Sequence, residues 1–476
     1  MPPLKRVLGL WDIVAMSVVA VVGLRWIARS ARVGAPSLTL WVLAWLLFCV
    51  PLVLAVIELS SRHPEQGGIY AWARRAFGPV HGFICGWCVW VNNLFYFPSL
   101  LLFAAANILL VFGAEAAGLA DNRLYSVTFV LVALWACVGL NILGLGAGRW
   151  LQSVGSVGTW LPAALLVVAG AVAFATFGSA TSFAPSALVP RQDVLSTVSL
   201  WSAMCFAFSG FEIGALMSEE VKDARRTLPR GVMIAGLAVT LIYIAGSASV
   251  LVALPSEALQ ERSGIADAVD MVSQRMGLAG LGAVTGGLLA IGAIAGTNSW
   301  FGGAARVPFA AGVHNVLPAA FARLHPRHRT PIVAILVQGV IATAIFLASV
   351  FLSVTGGRTT VQEAYDIMVN LTILVYFVPY LYLFVALVRL RRDSGRDDDS
   401  AVIRVPGGRA GLMAVATAGF SATAVSLALV FVPPVGTDNV MNYQVNLVAQ
   451  SLIVVGSGGV LYWFSRRRAN RDLQSR

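Results

Sequence analysis

Residues 201–230 read WSAMCFAFSGFEIGALMSEEVKDARRTLPR, and the fold turns on how this stretch is read. Its first half is apolar enough to enter a bilayer, yet Ser209-Gly210 interrupts it and Glu212 follows at once. A carboxylate at mid-membrane depth costs roughly 2.5–3.5 kcal/mol on insertion scales, so it faces a cavity or a partner. Glycine lets the backbone leave the helix, which lipid tolerates only where the freed groups are buried in protein or line a cavity. The second half turns polar, with Glu219, Glu220, Lys222, Arg225, Arg226 and Arg230. The whole reads as a broken transmembrane helix running into a cytoplasmic loop, an element transporters use to hold substrate. A packing glycine beside a helix-end glutamate fits the same residues, and this stretch alone does not separate the two.

The remainder of the chain sets that stretch in a membrane. Of 476 residues 58% are hydrophobic and 12% charged, with a mean hydropathy of +0.80. Soluble proteins carry about 25% charged residues, so many spans are expected and no soluble domain fits. The net charge of +11 lies mostly in short loops between apolar runs, where topology explains it and nucleic acid need not. Cys49, Cys85, Cys88, Cys137 and Cys205 all fall inside apolar segments. Cys85-x-x-Cys88 has no second pair beside it, so these read as reduced packing residues and no metal or other cofactor is expected. No cleavable signal peptide is expected after the basic start at Lys5 and Arg6.

Apolar runs long enough to span, each needing roughly 20 residues, occur about twelve times. They fall near 10–30, 38–60, 80–112, 124–146, 150–177, 196–217, 231–254, 278–304, 330–353, 361–390, 410–433 and 445–465. With both termini cytoplasmic, most of the 33 Lys and Arg lie inside, among them Arg74-Arg75, Arg225-Arg226, Arg327, Arg329, Arg391-Arg392 and Arg466 to Arg468. Residues 255–277, outside in this topology, alternate acids with apolar positions and read as a short surface helix. The first span holds Val22-Gly23-Leu24-Arg25, again glycine followed by charge in an apolar run. Two interrupted segments five spans apart are the mark of an inverted repeat of five plus five helices, with spans 11 and 12 outside it. The expected organisation is thus an all-α membrane protein with a ten-helix core over 1–390. Its repeats cover about 10–177 and 196–390, followed by a linker over 391–409, helices 11 and 12 over 410–465, and a tail over 466–476.

Four motifs now fall in order. After span 2 come Pro64, Gly67-Gly68, Tyr70 and then Phe77-Gly78-Pro79; the sixth span gives Gly210-Phe211-Glu212, Glu219-Glu220 and Leu228-Pro229-Arg230. After span 8 come Pro318, Phe321 and Thr330-Pro331, and span 10 carries Val378-Pro379-Tyr380-Leu381-Tyr382. The chain resembles the amino acid–polyamine–organocation permeases along nearly its whole length. That resemblance implies a LeuT-type fold, a substrate site at the repeat interface and alternating access, as in the amino-acid antiporters of that superfamily. One departure stands out. The family's first span carries G-S-G-[IV]-F, whose amides receive a substrate carboxylate, whereas here Val19 to Gly23 offer one glycine, followed by Arg25.

Unpaired amides at a half-helix start attract anions, and carbonyls at a half-helix end suit an ammonium. Gly23, with Val22 beside it, and Gly210 are therefore the first substrate-binding candidates, through backbone. Around them stand Asn93, Phe206, Ser209 and Trp300. Phe206 and Trp300 fall where similar exchangers carry tryptophans that wall off substrate. An aromatic lid also holds a cation by its ring face, worth about 0.5–2 kcal/mol. Trp300 equally fits an interface-belt tryptophan, and Asn93 an interhelical hydrogen bond. Glu212 matches a family acid and is the candidate for gating or proton coupling. Arg25 could hold an anionic substrate group, pair with Glu212, or lie solvated at the outer mouth with Arg29 and Arg32; the last is expected, since the helix after the break climbs outward. Some relatives place a proton-carrying lysine on span 5, where this chain has Thr159. Thr159 with Thr297 or Ser299 offers oxygen ligands to sodium, a minority reading behind exchange through Glu212.

The expected function is a secondary permease or exchanger of amino acids or related amines in the cell membrane, with bilayer and small-molecule substrate as partners. A homodimer is among the partner expectations. A polyamine or organocation transporter of the same fold is the alternative, and a sodium-coupled symporter a lesser one. A channel would want a ring-forming pore motif, and none is visible. An enzyme would want a catalytic cluster, but His63, His81, His314, His325 and His328 sit at loops or span ends.

Overall fold

The computed structural model describes residues 9–63, 68–190, 194–212, 221–255, 258–259, 262–313, 318–351, 360–393, 402–433, 440–441, 443–453 and 456–459. The regular elements described are helices. Nine of them among the described residues are long and apolar enough to cross a membrane: Pro36–Arg62, Pro79–Phe112, Arg123–Leu143, Val154–Phe177, Arg226–Ala253, Leu281–Pro308, Ile332–Phe351, Val361–Asp393 and Gly408–Leu429. They match the second to fifth and the seventh to eleventh expected spans. The first and sixth are not among them: each is interrupted, and residues 213–217 of the sixth lie outside the described residues. The first divides into Leu10–Val21 and Arg25–Ala31, of 12 and 7 residues, and the sixth stops after Trp201–Ala207, of 7. None of these pieces reaches the roughly 20 residues a crossing needs. The twelfth expected span lies partly outside the described residues, as do Glu219, Glu220, His314 and residues 64–67, 394–401 and 466–476.

The chain folds as two compact units that interleave along the sequence. The first comprises Met1–Cys85, Leu166–Ala268 and Tyr376–Val435, so it holds the expected spans 1, 2, 6 and 7. The second comprises Gly86–Leu165, Val269–Val375 and Gly436–Arg476, and holds spans 3, 4, 8 and 9.

In the first unit the helix Ala224–Ala253 runs beside both pieces of the cut first span. A Cβ on Gly231 would stand 2.6 Å from Ile13, and one on Gly246 2.6 Å from Ile27, so the two glycines set this close approach. The second span carries a π-turn at Trp45–Cys49 just before Pro51. Proline cannot donate its helical hydrogen bond, and the widened turn absorbs the mismatch. At the end of that span Glu58 is wholly buried and accepts from Arg62 Nη2 (3.1 Å), Arg391 Nη1 (3.0 Å) and the Val405 N–H (2.8 Å). Ile403 N–H donates to Ser61 Oγ at 3.2 Å. The segment after helix Val361–Asp393 is thereby fastened to the second span.

In the second unit small residues bring helices together. A Cβ on Gly158 would meet the Leu288 carbonyl at 2.5 Å, and one on Gly155 would meet Ala295 at 2.1 Å. Close backbone approach of this kind is how membrane helices pack when apolar burial gives no preference. Trp90 Nε1 donates to Gln338 Oε1 (2.9 Å), whose amide donates to the Phe301 carbonyl (2.9 Å), so the buried polar atoms there have partners. The division between the two units falls inside Gly264–Arg275, the surface helix expected within 255–277. Ile265, Ala266, Ala268, Val269 and Val272 are buried, while Met271, Gln274 and Arg275 are exposed, as an amphipathic surface helix requires.

Candidate functional site

Both cuts lie in the first unit, and each is made by the local sequence. Leu10–Val21 ends where Val22 takes extended backbone (φ −68°, ψ 102°), and the next helix starts at Arg25. Gly23 leaves room for the Trp26 ring there: a Cβ would stand 2.6 Å from the Trp26 indole nitrogen, so a larger residue would make that ring shift. The sixth span tightens at its end, with Phe208 N–H on the Cys205 carbonyl and Ser209 N–H on that of Phe206. Gly210 then takes φ +109°, a conformation that side chains rarely allow.

An interrupted helix leaves carbonyls and amides without helical partners, and burying one unsatisfied costs about 1–3 kcal/mol. Two tyrosines meet this need. Tyr243, on helix Ala224–Ala253, accepts from the Gly23 N–H at 3.0 Å. Its hydroxyl stands 2.7 Å from the Val21 carbonyl and 3.0 Å from that of Ala207, sharing its proton between them. Tyr380, on helix Val361–Asp393, accepts from the Gly210 N–H at 3.0 Å and donates to Glu212, 2.9 Å from Oε1 and 3.0 Å from Oε2. Tyr376, one turn earlier, donates to Glu212 Oε1 at 2.7 Å. The carboxylate of Glu212 is thus buried on two neutral hydroxyls.

Aromatic rings surround this polar centre. Phe206 meets Trp26 edge-on at 5.3 Å, Tyr376 at 5.7 Å and Phe377 at 6.1 Å between centroids. Phe48, in the π-turn, packs on Phe377 and Tyr380. Such a group excludes water and offers ring faces to a cation.

Of the residues singled out in the sequence, Val22, Gly23, Phe206, Ser209, Gly210, Glu212 and Arg25 all belong to this unit. The expected solvation of Arg25 is overturned. Arg25 is 1% and Arg29 2% exposed, and the Arg25 guanidinium lies 4.5 Å from the Trp26 ring centroid. A helix of only 7 residues is too short to carry them outward into water. Ser209 turns its hydroxyl back onto the Phe206 carbonyl.

Asn93 and Trp300 belong to the second unit. Asn93 is buried with its amide on the Val89 carbonyl of its own helix (2.7 Å), and Trp300 is half-buried with its ring edge toward Tyr96. Thr159, Thr297 and Ser299, weighed as sodium ligands, each donate to the carbonyl four residues earlier. Tyr243 and Tyr376 were not singled out in the sequence, and Tyr380 only as part of a motif; a tyrosine in an apolar run looks like packing until its partner is known.

The chain is similar to known proteins along most of its length. A family model described as amino acid permease matches residues 8–457. An uncharacterized transporter of Legionella pneumophila is 28% identical over 95% of each chain. A probable agmatine/putrescine antiporter of Lactococcus lactis is 23% identical over 77% of this chain and 75% of its own. A glutamate/gamma-aminobutyrate antiporter of the same organism is 24% identical over 91% of this chain and 85% of its own.

Proposed function

The chain belongs to the amino acid permease family, and from that premise we propose that it is a secondary active transporter that exchanges amino acids or closely related amines by alternating access. It is a multi-pass membrane protein and a transporter, with relatives that are permeases and antiporters, not enzymes. The proposal adds the cell membrane as its location, cytoplasmic termini, twelve spans and a five-plus-five repeat. The make-up of the two units supports the repeat: spans 1 and 2 group with 6 and 7, and spans 3 and 4 with 8 and 9, an offset of five. The proposed layout keeps the ten-helix core to residue 390, the linker to 409, and helices 11 and 12 beyond.

The observation that carries the reading is the pair of cut helices whose freed backbone at Gly23 and Gly210 is held by tyrosine hydroxyls, with Glu212 between aromatic rings. Backbone outside a helix is tolerated at membrane depth where it is buried in protein or lines a cavity, and transporters build substrate sites from such breaks. Val22, Gly23, Phe206, Ser209 and Gly210 are the proposed substrate-facing set of the first unit; Asn93 and Trp300 are the proposed contacts of the second. Glu212 carries gating or proton coupling, and the buried Arg25 is its proposed companion in gating.

A second reading, transport of amines that lack a carboxylate, is favoured by the same site. A buried carboxylate beside a cluster of six aromatic rings suits an ammonium, whereas the Gly23 amide, the expected seat for a substrate carboxylate, is occupied by Tyr243. A thermal-shift panel of amino acids and amines, followed by flux of the hits in proteoliposomes, tests both, since ligands stabilise by RT ln(1 + [L]/Kd). Saturable exchange is expected; hits confined to compounds without a carboxylate would select the second reading, and no stabilisation or flux by either class would overturn both.

A further inference from the structure

We propose that Tyr243 is a positioning residue that ties the two helix breaks together, so that the backbone at Gly23 and at Ala207 rearranges as one unit. One oxygen reaches three backbone atoms on two cut helices: the Gly23 N–H, the Val21 carbonyl and the Ala207 carbonyl. In intact helices those carbonyls would take amides four residues on, at Arg25 and Phe211, and each break removes that option. A hydroxyl suits the place because it accepts and donates at once, so a single neutral group serves an amide and two carbonyls.

The ring is fixed as firmly as the hydroxyl. Tyr243 is wholly buried and stacks on Trp41 at 4.6 Å with 15° between planes, while Phe208 meets it edge-on at 5.4 Å. Trp41 is anchored in turn, its Nε1 donating 3.0 Å to Ser30 Oγ on the helix that follows the first break. Phe208 is the residue at which the sixth-span helix stops. The ring therefore touches one group tied to each break, and the hydroxyl joins their backbones. Movement of either break pulls on the same oxygen.

The functional part of this inference rests on the transporter reading, but its structural part does not. Tyr243→Phe keeps the ring and removes the oxygen, and backbone hydrogen exchange of the full chain in detergent reports the result. Faster exchange is expected in peptides covering both 20–26 and 205–211; a change at one break only, or at neither, would overturn the tie. If Tyr243→Phe does not yield folded protein, a temperature series on the wild type decides. Both segments should lose protection together, and one opening well before the other would overturn the proposal. In proteoliposomes, exchange of L-serine, L-glutamate and putrescine supplies the second readout. For any of these that the wild type carries, Tyr243→Phe should lower the maximal rate about tenfold or more and change half-saturation less than about threefold. A maximal rate within twofold of wild type would overturn the role in transport. Should the wild type carry none of the three, the transport reading takes the failure and hydrogen exchange alone judges Tyr243.

Discussion

Glu58 and Glu212 are both buried carboxylates of the first unit, yet their surroundings differ in kind. Glu58 accepts from two guanidinium groups and a backbone amide, at 3.0–3.1 Å and 2.8 Å. Glu212 accepts from two phenol hydroxyls, at 2.7–3.0 Å. Opposite charge offsets the cost of burying Glu58, and removing one member of such a group strands the others. A hydroxyl adds no charge, and it can turn to donate or accept as its partner changes. The first arrangement suits a fixed joint between the second span and the segment around Val405. The second suits a group whose state changes during a cycle.

That contrast can be broken at several points. The largest effect is expected at the joint. Glu58→Ala leaves Arg62, Arg391 and the Val405 amide without their acceptor, at a cost of about 3–5 kcal/mol. A thermal melt should show a large fall in the unfolding midpoint, and a midpoint close to wild type would mean that Glu58 is not structural. Next comes Gly210→Leu. It forces a branched side chain onto φ +109°, a strain of about 1–3 kcal/mol focused on the proposed site. Substrate-induced stabilisation should vanish while the protein still elutes as a monodisperse peak; unchanged ligand affinity would refute the placement. The smallest effect is expected at Trp300→Ala, outside both carboxylate regions. Loss of one ring face should weaken binding by about 0.5–2 kcal/mol or shift selectivity, read from the same thermal-shift titration, and an identical titration would remove Trp300 from the site.

These residues also show what the sequence makes legible. Glycine followed by charge in an apolar run marks both breaks, because lipid tolerates that pattern only for a reason, and Gly23 and Gly210 sit where it points. Among the described residues, nine full-length spans stand where hydropathy puts them. What fills the breaks was not readable, since Tyr243 and Tyr380 find their partners across 220 and 170 residues of chain, and no spacing rule reaches that far. Glu58 hides for another reason: one acid in the last turn of an apolar run looks like a span end reaching water. The position of Arg25 after a break does not reveal its exposure, because burial there depends on Trp26 and the neighbouring helices that pack on it. Pro51 was a local signal for the π-turn that places Phe48 against Tyr380.

The sharpest test of the contrast between the two carboxylates is the pH profile of exchange in proteoliposomes for wild type and Glu212→Gln. The amide keeps the size of the side chain and can still accept from Tyr376 and Tyr380, but it cannot exchange a proton. Reconstitution yield should hold, and the dependence of exchange on pH should flatten. A full wild-type pH profile surviving in Glu212→Gln would contradict the assignment and place proton sensing elsewhere in the molecule.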